Sequence, residues 1–429
     1  PIAETYGRRV ATVIGETLSV AGALGCAISS KTMIMIGWRL LIGLGVGFCT
    51  VCKPIYVSEI SSADYRATIL ATFSPAIAFG ILLAQVAETV AVSWRLKLML
   101  GSLLPGLLLL VALLVMPESP VWLQSMRASS SRRSSSQLCN FGEATSSAKS
   151  FQVDGSVAAS RHGAHGPDQQ RHAPDRAAMH ERQRMFSAFW HAMMGSATGR
   201  RAALLAFCLA ACHQGTGDYV ILVYASSILK PFDVSTAFAS AGPVLVSAAN
   251  LIGSIVGVLL IERFGRRRLL MGGLAALGAI MVGMSLVALF ARPTLYIPML
   301  MLITLFAFVF QVGPGCVYFV VITEISAPQL KTYTYALGNL SRYGFELVAG
   351  VSYFTFSEAI GTPGVMVIYA VVAFGCFECI RRCLIEVRVV EGTSVRYDLS
   401  GTWCSTKSMQ DSVKFNEFSD GYMKFQEDD

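Results

Sequence analysis

The stretch Ile261-Glu262-Arg263-Phe264-Gly265-Arg266-Arg267-Arg268 decides the fold, because it places charge between two long uncharged runs. The runs are Ala237–Ile261 and Leu269–Phe290. A helix rises about 1.5 Å per residue, so each run is long enough to cross a hydrocarbon core of roughly 30 Å. The charged stretch cannot lie in lipid. We expect a short loop at a membrane face, and the positive-inside rule predicts that this face is cytoplasmic.

The composition supports a polytopic membrane protein. Hydrophobic residues make up 54% of the chain and charged residues only 14%, against roughly 25% charged in soluble domains. The net charge of +7 comes from arginines in the loops, so it indicates orientation and no nucleic-acid partner. The eleven cysteines lie mostly in apolar runs, which favours buried side chains over disulfides. Cys376, Cys379 and Cys383 near a helix end suit either helix packing or palmitoylation.

Ten membrane spans are predicted, four before a polar connector and six after it. They are Val10–Ser29, Met33–Ile55, Ala67–Ala91, Leu96–Met116, Ala202–Leu229, Ala237–Ile261, Leu269–Phe290, Leu295–Ile322, Thr332–Phe356 and Val365–Ile385. The predicted domains are a first bundle at 1–123, a cytoplasmic connector at 124–196, a second bundle at 197–390 and a cytoplasmic tail at 391–429. An even number of spans places both termini in the cytoplasm, and we expect the plasma membrane rather than an organelle.

The connector is rich in Ser, Arg and His, and we expect disorder in its early part and a short amphipathic helix near Ala177–Met194. Its Arg-Ser runs suit a basophilic kinase as a partner, or simply a solvated linker. The tail is polar, ends acidic, and is expected to lack fixed structure.

An internal repeat relates the two halves. Gly7-Arg8-Arg9 echoes the Gly-Arg-Arg of the deciding stretch, and Glu59 precedes Arg66 by the same spacing at which Glu324 precedes Lys331. Aligning the halves on these marks leaves two helices to be expected before Pro1, in a parent design of six plus six helices.

These motifs resemble the sugar porter family of the major facilitator superfamily. The residues that carry the resemblance are Gly7-Arg8-Arg9, Arg39 with Gly43, Gly45 and Gly47, Pro54-Ile55-Tyr56-Val57-Ser58-Glu59 with Arg66, Trp94-Arg95, Pro117-Glu118-Ser119-Pro120-Val121-Trp122-Leu123, Glu262-Arg263-Phe264-Gly265-Arg266-Arg267 and Gly313-Pro314-Gly315. The resemblance implies an all-α membrane protein with the major facilitator fold, built from two helical bundles with four of six helices present in the first. It also implies a lipid bilayer around the chain, substrate bound near the midplane, and alternating access.

The resemblance also implies substrate contacts at Gln214, Asn250, Gln311 and Phe319. Amides suit sugars because they offer donor and acceptor groups to adjacent hydroxyls, and an aromatic ring can stack on a sugar face. His213 and Tyr219 stand where the family carries a glutamine and an asparagine, so they are candidate selectivity changes. Asn250 equally suits an ordinary hydrogen bond between helices.

Charges at helix ends on one membrane face are candidates for a gate. They are Glu59, Arg66, Glu262, Arg266, Arg267, Glu324 and Lys331. Opposite charges there can pair when the halves close and separate when they open, which biases a two-state equilibrium. The alternative is positive-inside anchoring, because single exposed pairs contribute only about 0–1 kcal/mol.

Charges inside the spans are candidates for ion coupling. Asp218 is either a proton or cation site or part of a structural pair, because an ionisable group within a span is costly. Arg342 and Glu346 are four residues apart and share one helix face, so they form either a self-neutralised pair or a charged lining for a substrate other than a neutral hexose. Arg39 requires a counter-charge, which proton-coupled members of the family supply on their first helix.

The sequence therefore predicts a carrier of a hexose, or of a polyol such as inositol, as a facilitator or a proton symporter. The alternatives are a non-transporting, sensor-like relative and a carrier of a charged small solute. We predict no enzyme activity and no cofactor, because the sequence shows no nucleotide loop, metal cluster or catalytic triad at convincing spacing.

Overall fold

The computed structural model describes a series of residue ranges along the chain. They are residues 3, 6–62, 65–89, 93–124, 126, 195, 197–232, 236–290, 292–324, 331–383, 387–390, 393–397 and 403–405. The predicted connector therefore lies almost wholly outside the described residues, as do the helix predicted at Ala177–Met194 and most of the tail.

The first half of the described chain is helical throughout its apolar runs. Its helices are α1 Arg8–Ile28, α2 Thr32–Ile60, α3 Arg66–Ala71, α4 Phe73–Thr89, α5 Trp94–Leu98 and α6 Leu104–Val115, with a π-helical turn at Met99–Leu103 between α5 and α6. Pro117, just beyond α6, and Pro120 are poorly suited to a helix interior because proline lacks the backbone N–H.

The second half repeats this all-helical pattern. Its helices are α7 Ala197–Gln214, α8 Asp218–Leu229, α9 Thr236–Phe264, α10 Arg266–Phe290, α11 Tyr296–Phe310, α12 Cys316–Glu324 and α13 Lys331–Cys383, with a π-helical turn at Gln311–Gly315. Short 3₁₀ turns lie at Lys230–Phe232 and Pro293–Leu295.

Seven described helical stretches are long and apolar enough to cross a bilayer, the last being Thr332–Arg382. This stretch is long enough for two crossings, and Gly361 interrupts it with a φ of 73°. Residues with a Cβ rarely adopt that conformation, so glycine permits the break. Among the described residues, each of the ten spans predicted from the sequence consists mainly of helix.

The apolar side chains divide between two environments. Large residues such as Leu108, Leu259 and Leu347 are more than 60% exposed on the outer helix faces, as expected of side chains that contact lipid. The described residues form two apolar clusters in the interior. One joins Ile55 and Leu70 of the first half to α12 of the second half, and the other lies within the second half around Met281 and Phe306.

A small sheet follows the last helix. Strands β1 Val387–Val390, β2 Thr393–Tyr397 and β3 Trp403–Ser405 are antiparallel in the order β1-β2-β3. The expectation that the tail lacks fixed structure is therefore wrong for this part of it. The sequence signal for these strands is weak, because each is only three to five residues long and Arg388 and Arg396 interrupt their apolar character.

Candidate functional site

A charged corner closes one end of the first half. Gly7 adopts a φ of 102° directly before α1, and the first backbone N–H groups of α1, at Arg8 and Arg9, donate to Glu118 Oε1 at 2.9 and 3.1 Å. The Arg8 guanidinium lies 3.0 Å from Glu59. The second Glu59 oxygen accepts a hydrogen bond from Ser119 Oγ at 2.5 Å. An acid at a helix start is favourable because the N–H groups there lack helical partners.

The second half contains a matching corner. Gly265 has a φ of 80° before α10, and Arg266 pairs with Glu324 at 3.3 Å and with Glu262 at 3.9 Å. Arg267 donates to the Arg381 carbonyl oxygen at 2.7 Å. In both halves the arginine after a positive-φ glycine therefore reaches a glutamate near a helix end, which confirms the repeat predicted from the sequence.

The gate residues chosen from the sequence are only partly brought together. Arg66 donates to the Ser61 carbonyl oxygen at 3.2 Å, whereas Glu59 binds Arg8, so the repeated seven-residue spacing is not an ion pair in the first half. The Lys331 side chain lies outside the described residues. The corners occupy the same end of the molecule, because Thr68 donates to Glu262 Oε1 at 3.1 Å across the two halves.

A buried polar cluster also joins the halves in the interior. Ser74 of α4 donates to Gln311 Oε1 at 2.6 Å, and Gln311 Nε2 donates to Asn250 Oδ1 of α9 at 2.8 Å. The three residues are at most 6% exposed. Asn250 Nδ2 is buried without a hydrogen-bond partner among the described residues. A buried donor of this kind is costly unless a ligand or water satisfies it.

The π-helical turn places Gln311 in this cluster. Pro314 provides no backbone N–H for the regular helical ladder, and the turn at Gln311–Gly315 absorbs the interruption. Glycines allow the turn to pack closely. A Cβ at Gly257 would lie 2.9 Å from the Gln311 carbonyl oxygen, and a Cβ at Gly273 would lie 3.0 Å from Gly313 Cα.

A second polar group lies where α7 ends. His213 Nδ1 is 2.8 Å from Gln214 Oε1, and the His213 ring packs edge-on against Phe310 at 5.2 Å and Tyr318 at 4.8 Å between centroids. Phe319 is 6.1 Å from His213 and 6.3 Å from Phe73 of the first half. The structure thus brings together His213, Gln214 and Phe319. Phe310, which contacts His213, directly precedes Gln311 in the chain.

Tyr219 packs against α13. A Cβ at Gly350 would lie 2.9 Å from the Tyr219 ring, and Tyr219 also interacts with Tyr224, at 6.3 Å between centroids. Arg342 and Glu346 form the predicted pair, at 3.9 Å. Arg39 is exposed on α2, and within the described ranges no hydrogen bond or ion pair to its side chain is found.

Sequence reasoning did not assign three residues of the first corner to the gate: Arg8, Glu118 and Ser119. The signal was present, because all three belong to the quoted motifs. It also missed an ion pair between Glu16 of α1 and Lys53 of α2 at 3.0 Å. These residues are 37 positions apart, and only the packing of the two helices brings them together.

The repeated helical halves, their matching charged corners and the polar interior between them define a multi-pass membrane transporter. The chain belongs to the family described as "Sugar (and other) transporter", whose sequence profile matches residues 1–391.

Two curated relatives illustrate the similarity. The human solute carrier family 2 facilitated glucose transporter member 4 is 29% identical over 390 residues, which cover 88% of this chain and 71% of the relative. The galactose-proton symporter of Escherichia coli strain K12 is 24% identical over 372 residues, which cover 85% of this chain and 74% of the relative.

Solved structures show the same fold. The proton:xylose symporter XylE bound to 6-bromo-6-deoxy-D-glucose superposes with a TM-score of 0.66 at 19% identity, and the match covers 90% of this chain and 82% of XylE. XylE is described there as a protein of the major facilitator superfamily. The two-bundle major facilitator fold predicted from the sequence is therefore confirmed.

Proposed function

We propose that this protein carries a hexose or a related polyol across a membrane by alternating access, as a facilitator or a proton symporter. The observation that carries the proposal is the cluster Ser74–Gln311–Asn250, in which hydroxyl and amide groups from both halves meet in an apolar interior. Amides can exchange these mutual hydrogen bonds for bonds to sugar hydroxyls at little net cost. Relatives named as glucose and galactose transporters support the same substrate class.

The substrate contacts proposed are Gln214, Asn250, Gln311 and Phe319, with His213 and Tyr219 adjusting selectivity. His213 and Gln214 lie in one group and Asn250 and Gln311 in another. Phe319 lies between His213 of α7 and Phe73 of the first half. A sugar that enters between the halves would meet polar groups at its edges and an aromatic ring on its apolar face.

The proposed gate lies at the end of the molecule that carries the charged corners, and the contacts between the halves there close it. Arg8–Glu59 and Arg266–Glu324 brace each half, while Thr68–Glu262 and the apolar cluster around Leu70 hold the halves together. Opening this end breaks the contacts between the halves and leaves those within each half intact. Such a rearrangement is the rigid-body rocking that alternating access requires.

The positive-inside rule places this end, both termini and the connector in the cytoplasm. The plasma membrane is the proposed location, and a basophilic kinase is the proposed partner of the Arg-Ser runs between 124 and 196. Arg39 and Asp218 are the proposed coupling residues.

Counterflow of labelled D-glucose and myo-inositol into proteoliposomes tests the proposal. We expect exchange of one of them by the wild type, and at least a tenfold loss of that exchange, equivalent to about 1.4 kcal/mol, in the Gln311→Ala and Asn250→Ala variants. Ser254→Ala is the matched control, because Ser254 is also buried on α9 but donates to the Leu251 carbonyl oxygen of its own helix.

Two other outcomes would replace the proposal. Thermal stabilisation by a sugar without any exchange would indicate the sensor-like alternative. Currents evoked by charged solutes, in the absence of sugar exchange, would indicate a carrier of a charged small solute.

A further inference from the structure

The span predicted at Ala202–Leu229 is interrupted where its polar residues lie. α7 ends at Gln214 and α8 begins at Asp218. Gly217 bridges them with a φ of 87°, and a Cβ on it would lie 2.9 Å from the Tyr369 ring. The close approach of Tyr369 and the positive φ both require glycine here. The break makes Asp218 the first residue of a new helix in the middle of an apolar span.

Asp218 is buried without compensation by hydrogen bonds. Its side chain is 7% exposed, and Oδ1 has no hydrogen-bond partner among the described residues. The start of α8 favours a negative charge nearby, but this effect is small compared with the cost of burying an unpaired carboxylate. A buried acid with an unused oxygen therefore requires a cation or a proton.

The charges that face Asp218 do not provide this compensation. Asp218 interacts with Arg342 and Glu346 of α13, and those two side chains pair with each other at 3.9 Å. With Asp218 and Glu346 both ionised beside Arg342, these three side chains carry a net charge of −1. Protonation of Asp218 next to the ionised Arg342–Glu346 pair makes the three side chains neutral together.

The other titratable side chains around α8 do not change this balance. His213 on α7 packs among aromatic rings beside Arg342. A protonated imidazole there would be repelled by Arg342 and would lose its hydration, so His213 does not supply the missing positive charge. Among the residues that the structure describes, the remaining titratable neighbours are tyrosines, which are neutral when protonated: Tyr219, Tyr224, Tyr296, Tyr353 and Tyr369.

We propose that Asp218 is a proton-binding site in the second half of this carrier, and that its protonation is linked to passage of the substrate. The carboxylate takes one proton from the aqueous phase on one side of the membrane and releases it on the other, and no covalent bond other than O–H forms or breaks. The link to passage rests on the proposed function. Proton binding by Asp218 does not.

Infrared difference spectra of the purified full chain in lipid nanodiscs, recorded between pH 8 and pH 5, test proton binding without substrate. We expect a protonated-carboxyl band that is absent in Asp218→Asn and present in Glu346→Gln. A band that persists unchanged in Asp218→Asn would overturn the proposal. Loss of the band on addition of sodium chloride, but not of choline chloride, would assign the site to a metal cation instead and would also overturn it.

Labelled D-glucose accumulation in proteoliposomes tests the linkage. With an inward gradient of one pH unit, one coupled proton supports at most about tenfold accumulation. We expect accumulation by the wild type and equilibration to onefold by Asp218→Asn, with counterflow retained. Accumulation that is unaffected in Asp218→Asn would overturn the linkage. Absence of counterflow in every variant would contradict the sugar proposal, while the infrared result would still decide proton binding.

Discussion

Ser74 Oγ lies 2.6 Å from Gln311 Oε1, and this hydrogen bond joins the two halves of the protein in its interior. Both side chains are buried. The bond exists only while the halves are closed around it, so its loss should favour the state in which they separate. Net contributions of buried hydrogen bonds are about 1 kcal/mol, which is enough to shift a two-state population roughly fivefold.

Ser74→Ala should therefore increase opening between the halves. We expect faster hydrogen–deuterium exchange in α12, which packs against the first half. Ser254→Ala is the control, because Ser254 is equally buried but donates to the Leu251 carbonyl oxygen of its own helix. Equal exchange rates in the two variants would mean that the Ser74–Gln311 bond does not hold the halves together.

The ion pairs of the two corners predict that loss of the glutamate lowers thermal stability more in the first half than in the second. Arg8–Glu59 is closer and more buried, at 3.0 Å with side-chain exposures of 8% and 11%, than Arg266–Glu324, at 3.3 Å with 7% and 23%. Removing one partner of a buried pair costs about 3 kcal/mol, and the cost is smaller at Arg266, which keeps Glu262 at 3.9 Å when Glu324 is lost. Glu59→Gln should lower the thermal unfolding temperature more than Glu324→Gln in the same detergent, and the reverse order would contradict the geometry.

Helix packing predicts contrasting effects of two glycine substitutions. A Cβ at Gly253 of α9 would overlap the backbone carbonyl of Phe308 in α11, whereas nothing lies within 4 Å of a Cβ at Gly272 in α10. Backbone cannot move aside as a side chain can, so Gly253→Ala should destabilise the protein by about 1–3 kcal/mol. Gly272→Ala should be neutral or stabilising, since alanine has the higher helix propensity. Thermal unfolding of the two variants measures the difference.

Two cysteines on different helices predict a chemical cross-link. Cys379 Sγ of α13 lies 3.2 Å from Cys208 Sγ of α7. Mild oxidation should join them in a disulfide that mass spectrometry of peptides detects, and Cys208→Ser should abolish it. Cys26, which is buried near the end of α1 before the turn into α2, is the control and should stay reduced. Absence of the cross-link would argue against the packing of α7 on α13. The sequence allowed either helix packing or palmitoylation for the cysteines near this helix end, and the contact of Cys379 with α7 favours helix packing.

Much of the fold was predictable because a bilayer imposes a simple rule. Backbone polar groups in lipid must be satisfied within the segment, so apolar runs of sufficient length become helices. The runs around Ile261–Arg268 accordingly gave correct spans. The sheet between residues 387 and 405 was not predicted, because it lies beyond the last span, where that rule no longer applies.

The interior was less predictable. Gln214, Asn250 and Gln311 were chosen by position in the family pattern, and the structure buries all three. Their partners, however, come from distant helices: Ser74 is 237 residues from Gln311. The contacts of Tyr219 with Gly350 and Tyr224 likewise depend on tertiary packing.

The sequence by itself determined the spans, the repeat of the halves and the charged loops between them, because these depend on local composition and on the cost of placing charge in lipid. Only the tertiary structure decided which charges pair. It joined Glu59 to Arg8 instead of Arg66, and it left Asp218 beside an Arg342–Glu346 pair that is already formed. Pairing depends on distances between helices far apart in the chain, and spacing along one helix does not contain those distances.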